Sequence, residues 1–225
     1  MDQPALLIPL LALGLLLWWQ ARRLAQASSR RRTARAAFLD ACLPLFSDRL
    51  ARTEPDGFPR VAGRHGGARF DLRVVPDALT VRKLPALWLL VTLTEPIPIG
   101  ATWHLMLRPR GTETFSAFHR LPRLLPRRPG LPEDGAVRTD APSGPPPPAL
   151  AAVVERLGEG RLKEVVLSPK GLRLTWLVEE AHRGRYLLFR EAEMGLTPLS
   201  PEALDPLLAA LLDARAALEP RRLRA

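Results

Sequence analysis

Residues Ala5–Trp19, ALLIPLLALGLLLWW, run for fifteen positions without a charge or a polar side chain. No other stretch limits the chain as strongly, because a surface helix of a globular domain needs a polar face and this run has none. Extended to Pro4 and Ala21, the run is eighteen residues long. As a helix it would measure ~27 Å, slightly short of a ~30 Å hydrocarbon core. The flanks make up the difference. Trp18 and Trp19 suit the headgroup boundary, and Arg22 and Arg23 can reach outward to lipid phosphates. Pro9 and Gly14 would weaken a helix in water but are common in membrane helices. A single transmembrane anchor over residues 1–21 is therefore the expected reading.

Other readings of this segment fit less well. Ala25-Gln26-Ala27 before Ser28 has the small-x-small form of a signal-peptide cleavage site. However, Met1-Asp2-Gln3-Pro4 holds no basic side chain, and two arginines separate the apolar run from the site. Leu39-Asp40-Ala41-Cys42 resembles a lipidation box only loosely, and a basic stretch parts it from the apolar run.

Charge sets the orientation. The formal net charge is +10, and six of those units sit in residues 22–35 as Arg22, Arg23, Arg30, Arg31, Arg32 and Arg35 with no acid among them. Only Asp2 precedes the span. The positive-inside rule then places the N-terminus outside the bacterial inner membrane and residues 22–225 in the cytoplasm, with 22–35 as a basic juxtamembrane segment and 36–225 as the cytoplasmic domain. Arg30, Arg31, Arg32 and Arg35 are candidates for contact with anionic lipid, at ~1 kcal/mol per basic residue close to the surface. Nucleic acid is not an expected partner, because no aromatic residues interleave with this cluster. The excess of Arg over Lys fits a GC-rich bacterial coding bias.

The remainder reads as an α+β domain. Residues 34–52 suggest a helix, with Phe38, Cys42, Leu45 and Phe46 at helical spacing and Pro44 as a flaw. From Ala68 the period changes to two. Phe70, Leu72 and Val74 share one face of a strand, and Arg69, Asp71 and Arg73 share the other. Pro76-Asp77 reads as a turn, Leu79–Lys83 as a short strand, and Ala86–Thr94 as a buried central strand. Trp103, Leu105 and Leu107 alternate inward, opposite Thr102, His104 and Arg108.

Nine of the 29 residues from 120 to 148 are proline, which predicts a stiff arm that wraps the domain or crosses solvent. Order resumes with a helix over Ala149–Leu157, strands over Glu164–Ser168, Leu172–Val178 and Tyr186–Arg190, and a C-terminal helix capped by Ser200 or Asp205. Residues 71–81 resemble 164–174 at an offset of 93, which admits two α-β-β-β halves in one antiparallel sheet. It equally admits two unrelated hairpins with proline at the turn.

Chemistry-bearing motifs are scarce. No G-x-S-x-G, no phosphate-binding G-x-x-x-x-G-K-[ST] and no H-E-x-x-H occur. The single cysteine, Cys42, rules out an intrachain disulfide and reads as a buried thiol. Gly63-Arg64-His65-Gly66-Gly67 precedes a strand and reads as a hairpin turn. No catalytic residue, metal or cofactor is expected. The weak candidates for a ligand pocket are His104, Arg108, Glu179, Glu180 and His182. The expected role is an interaction or scaffold module held at the membrane, with membrane lipid and a protein partner as its contacts. The alternative is a tethered enzyme acting on a phosphate-bearing or lipid substrate, which requires those five side chains to converge on one pocket.

Overall fold

The computed structural model describes residues 3–77, 84–109, 113, 115–127, 129–184, 186 and 194–219, with side chains described from residue 11 onward. It is an α+β fold with, among the described residues, three long helices and one nine-stranded antiparallel sheet. The helices are α1 (Gln3–Ala36), α2 (Pro148–Leu157) and α3 (Pro201–Leu218). The strands are β1 (Ser47–Thr53), β2 (Pro59–His65), β3 (Ala68–Asp77), β4 (Ala86–Leu93), β5 (Trp103–Leu107), β6 (Arg123–Leu124), β7 (Gly135–Thr139), β8 (Leu162–Ser168) and β9 (Gly171–Glu180). Their order across the sheet is β1-β2-β3-β4-β9-β8-β5-β7-β6. The late hairpin β8–β9 is thus inserted between β4 and β5.

Helices cover one face only. α2 buries Ala149, Leu150, Val153 and Val154, and α3 buries Leu204, Leu207, Leu208, Leu211 and Ala214. They meet the inward positions of the strands, among them Leu72, Val74, Leu89, Val91, Leu105, Val165 and Leu174. Each such side chain taken fully out of water contributes about 1.5–3 kcal/mol. Ser200 caps α3 by accepting a hydrogen bond from the Ala203 N–H (3.3 Å), and Gly158, at φ +73°, ends α2 where a side chain would be strained.

Several sequence expectations change. Residues 34–52 are not one helix. α1 stops at Ala36, a 3₁₀ segment Asp40–Leu45 contains Pro44, and Ser47–Thr53 is the edge strand β1. The helical spacing was real for Phe38, Cys42 and Phe46, which are all buried, but tight 3₁₀ turns deliver them to the core. Pairing with β2, which takes in Gly63–His65 of the expected glycine turn, then overrides the weak local preference of SDRLART. Pro76 and Asp77 lie inside β3 opposite Leu87 and Ala86. Pro76 is tolerated because β2 pairs no further than Arg73, so β3 has an open side there. Pro169, by contrast, sits at the turn between β8 and β9, and residues 78–81, which the offset of 93 sets against the start of β9, lie outside the described residues.

The proline-rich arm wraps the domain rather than crossing solvent, and it supplies β6 and β7 at one edge of the sheet. Tyr186 is in a helical turn, its N–H bonded to the His182 carbonyl (3.0 Å), not in a strand. Leu79–Lys83 and the rest of the Tyr186–Arg190 expectation lie outside the described residues.

Among the described residues no helix is long and apolar enough to cross a membrane. The side chains of Pro4–Leu10, the first part of the expected span, lie outside the described residues. α1 itself is a 34-residue helix whose side chains from Leu11 to Arg30 are all exposed.

Cys42 is buried, and its Sγ–H donates to the Leu199 carbonyl (3.2 Å). Burial, helped by the negative charge of Glu202, pushes its pKa up to about 11. The thiol is therefore expected to ignore a thiol-reactive dye in the native protein and to react fully in urea. Rapid labelling without denaturant would contradict this placement.

Candidate functional site

The sheet face away from α2 and α3 is mixed: Ala86, Trp88 and Leu90 form a small apolar cluster under Phe115, and beside it lies a polar network that the inserted hairpin organises. One row of residues crosses six strands: Asp71, Thr92, Arg173, Val166, His104 and Arg138. The adjacent row carries Arg73, Leu90, Thr175, Glu164 and Met106. Because neighbours on one face lie about 5 Å apart across strands, these two rows bring their polar groups into contact.

At their centre Glu164 is fully buried. Its Oε1 accepts from Arg173 Nη2 (2.9 Å) and Thr175 Oγ1 (2.9 Å), and its Oε2 pairs with His104 Nε2 (2.8 Å). Burial alone would push this carboxyl up, but the His104 hydrogen bond, the Arg173 charge and Ser116 together outweigh it. Glu164 is held below the ordinary glutamate range and is ionised.

A loop closes over part of this network. Phe118 stands edge-on to the His104 ring at 5.2 Å, and Ser116 Oγ lies 3.5 Å from His104 Nε2. This cover explains why His104, expected on the exposed polar side of its strand, is only 2% exposed. Serine, histidine and glutamate therefore meet, but they do not form a nucleophilic relay. In such a relay the acid holds one ring nitrogen and the serine the other. Here both converge on Nε2.

Beyond the cover the face opens into two cavities that share Thr92 and Arg173. The smaller, about 310 Å³, reaches His104, Arg120 and Lys170. The larger, about 670 Å³, is a trough on β2, β3, β4 and β9 lined by Arg60, Arg64, Arg69, Arg73 and Arg173 against Asp48 and Asp71. Arg60 is held by Asp71 through two bonds of 2.8 and 3.1 Å, which raises its pKa further.

The five weak pocket candidates do not converge. His104 belongs to the buried network. Arg108 folds back on the carbonyls of Glu159 and Leu162 (2.7 and 2.8 Å). Glu179 Oε2 accepts from the Gly195 N–H (2.9 Å), and His182 is exposed at the end of the sheet. Arg108 and Glu180 do line one cavity of about 270 Å³, floored by the buried Lys163–Glu113 ion pair (2.9 Å). Arg22 and Arg23 lie over the Trp18 and Trp19 rings at 5.1 and 4.0 Å, one helical turn away in each case. Arg35 lies 5.4 Å from the Phe58 ring, on the domain side of the helix. Among the described residues no group of three His, Cys, Asp or Glu side chains is placed to hold a metal ion.

Sequence reasoning missed Glu164, Arg173 and Thr175 as a site. The available signals were a carboxylate just ahead of the apolar run Val165–Leu167 and an arginine alternating with core residues on the next strand. No family model, curated protein or solved structure matches this chain.

Proposed function

We propose that this chain is a single-pass protein of the bacterial inner membrane, N-terminus outside, whose cytoplasmic α+β domain is an interaction module. The uncovered sheet face is its binding surface. The observation that carries this reading is the exposure of α1. Leu11, Leu13, Leu15, Leu16, Leu17, Trp18 and Trp19 are 44–68% exposed, a run of large apolar side chains that no part of the domain covers. A contiguous apolar surface of this kind marks contact with a membrane or a partner. The tryptophan–arginine boundary directly after it favours the membrane.

The helix continues beyond that boundary to Ala36. A straight helix standing upright would place Arg30 ~12 Å beyond Arg22, farther than the ~8 Å screening length at physiological salt. Arg22 and Arg23 are then the lipid-facing pair. Arg30, Arg31 and Arg32 would form a basic stalk that reaches anionic lipid only if the helix tilts.

The module reading draws on the scatter of the five pocket candidates and on the absence of a serine–histidine–glutamate relay. The test is a pair of C-terminal fusions. A reporter that works only in the cytoplasm should be active and remain with the membrane after alkaline carbonate washing. Activity of a periplasm-only reporter, or release by carbonate, would defeat the reading.

A further inference from the structure

We propose that the arginine trough on β2, β3, β4 and β9 binds a soluble small molecule carrying two or more phosphate groups. The inference deepens the reading of the uncovered face as a binding surface and does not depend on the membrane anchor.

Two features of the register support it. Arg60 lies directly opposite Arg73, and Arg64 directly opposite Arg69. Like charges directly across a strand pair destabilise a sheet, and here this occurs twice on one face. Asp71 relieves only part of the charge, because its two oxygens are taken up by Arg60. The side chains of Arg69 and Arg73 are exposed and make no hydrogen bond or ion pair with any described residue. Arg173 gives Nη2 to Glu164, and its buried Nε–H has no acceptor. The trough thus holds a net positive charge with unused guanidinium donors, arranged before any ligand arrives.

The geometry selects phosphate over other anions. A carboxylate is saturated by a single arginine fork, whereas a phosphate presents three oxygens and up to two charges, enough for two converging forks. The two arginine pairs are four residues apart along each strand, or ~13 Å. That spacing suits a ligand with more than one phosphate better than orthophosphate. Thr92, on β4 beside β3, offers a hydroxyl donor to the part joining the phosphates, whereas the Thr94 hydroxyl is spent on the Arg69 carbonyl (3.3 Å). The volume of about 670 Å³ is that of a small-molecule site. Among the described residues no aromatic side chain faces the trough to stack a base: Phe70, which borders it, is buried in the core on the opposite side. Single-stranded nucleic acid is therefore disfavoured.

The test is isothermal titration of the full chain in neutral detergent micelles with inorganic tripolyphosphate, and separately with orthophosphate, at low and at physiological salt. Saturable tripolyphosphate binding, stronger than that of orthophosphate and weakened by salt, is expected. Arg73→Gln and Arg69→Gln should each weaken it roughly 10- to 100-fold, the value of one charged hydrogen bond. Arg127→Gln, an equal change in net charge at an exposed site outside the trough, should leave it unchanged. The absence of binding, or equal weakening by all three variants, would overturn the proposal. Tighter binding to an oligonucleotide, or to vesicles containing phosphatidic acid, would also overturn it and assign the face to that partner instead. Circular dichroism of each variant establishes that it is folded. A failed titration with the fusion reporters behaving as expected removes this inference alone. A periplasmic domain that still binds tripolyphosphate removes only the anchor orientation.

Discussion

Replacing Glu164 with alanine is expected to cost about 2–4 kcal/mol, because it leaves the half-buried Arg173 and the buried His104 and Thr175 without their shared partner. A domain of this size holds about 5–15 kcal/mol in total, so the variant should unfold at much lower urea or fail to accumulate. The cause is local and specific. Arg173 and Thr175 both donate to Oε1 at 2.9 Å, and His104 meets Oε2 at 2.8 Å. Glu164→Gln keeps the shape and one carbonyl oxygen but loses the charge that Arg173 faces, so it should fall between wild type and alanine.

The same carboxylate predicts a pH dependence. Its folded pKa lies below the ordinary value of 4.5, so the folded state favours the ionised form. The stability this supplies is complete above about pH 4.5 and is lost as pH falls through the lower folded value. Urea midpoints measured between pH 7 and pH 3 should show this loss in wild type, and Glu164→Gln should flatten it. An unchanged acid slope in Glu164→Gln would show that other carboxylates govern acid unfolding.

The second large effect is expected at Gly171, the first residue of β9. Its φ is +147°, and a Cβ placed there would stand 2.2 Å from the carbonyl oxygen of Leu93 on β4. A rigid backbone atom cannot yield as a side chain does. Gly171→Ala must therefore part β4 from β9 beside the Leu93–Leu172 pair, at the middle of the sheet. The expected cost is about 3 kcal/mol or more, or a fall in Tm of ~10 °C for a domain of this length. Gly100→Ala is the control, since nothing lies within 4 Å of its Cβ position and its φ is not positive. Thermal unfolding of the two variants side by side decides the matter. Equal melting points would mean that β9 does not enter the sheet beside β4 in this way.

Residue order alone made the elements with strong periodicity legible. Phe70, Leu72 and Val74 alternate with Arg69, Asp71 and Arg73, and that alternation gave β3 and the identity of its two faces. The unbroken apolar run from Ala86 gave a central strand. Pro148 and Gly158, and Ser200 with Pro201, bracketed two helices through local backbone and capping chemistry. Where periodicity was weak, partners decided. Ser47–Thr53 becomes a strand only because β2 pairs with it, and the proline-rich arm yields two strands because the edge beside β5 is open to them.

The site was least legible. His104 and Glu164 are 60 positions apart, and nothing local to either points to the other. The sequence by itself determined the α+β class, the apolar start with its arginine boundary, and the polar side of β3, because short-range periodicity and charge encode such features directly. Only the tertiary structure decided that the β8–β9 hairpin enters the sheet between β4 and β5. That insertion places His104, Glu164 and Arg173 on three adjacent strands and extends the arginine face of β2 and β3 up to them. Strand order is set by which hydrophobic faces pack best as a whole, and that balance is a property of the folded chain rather than of any segment within it.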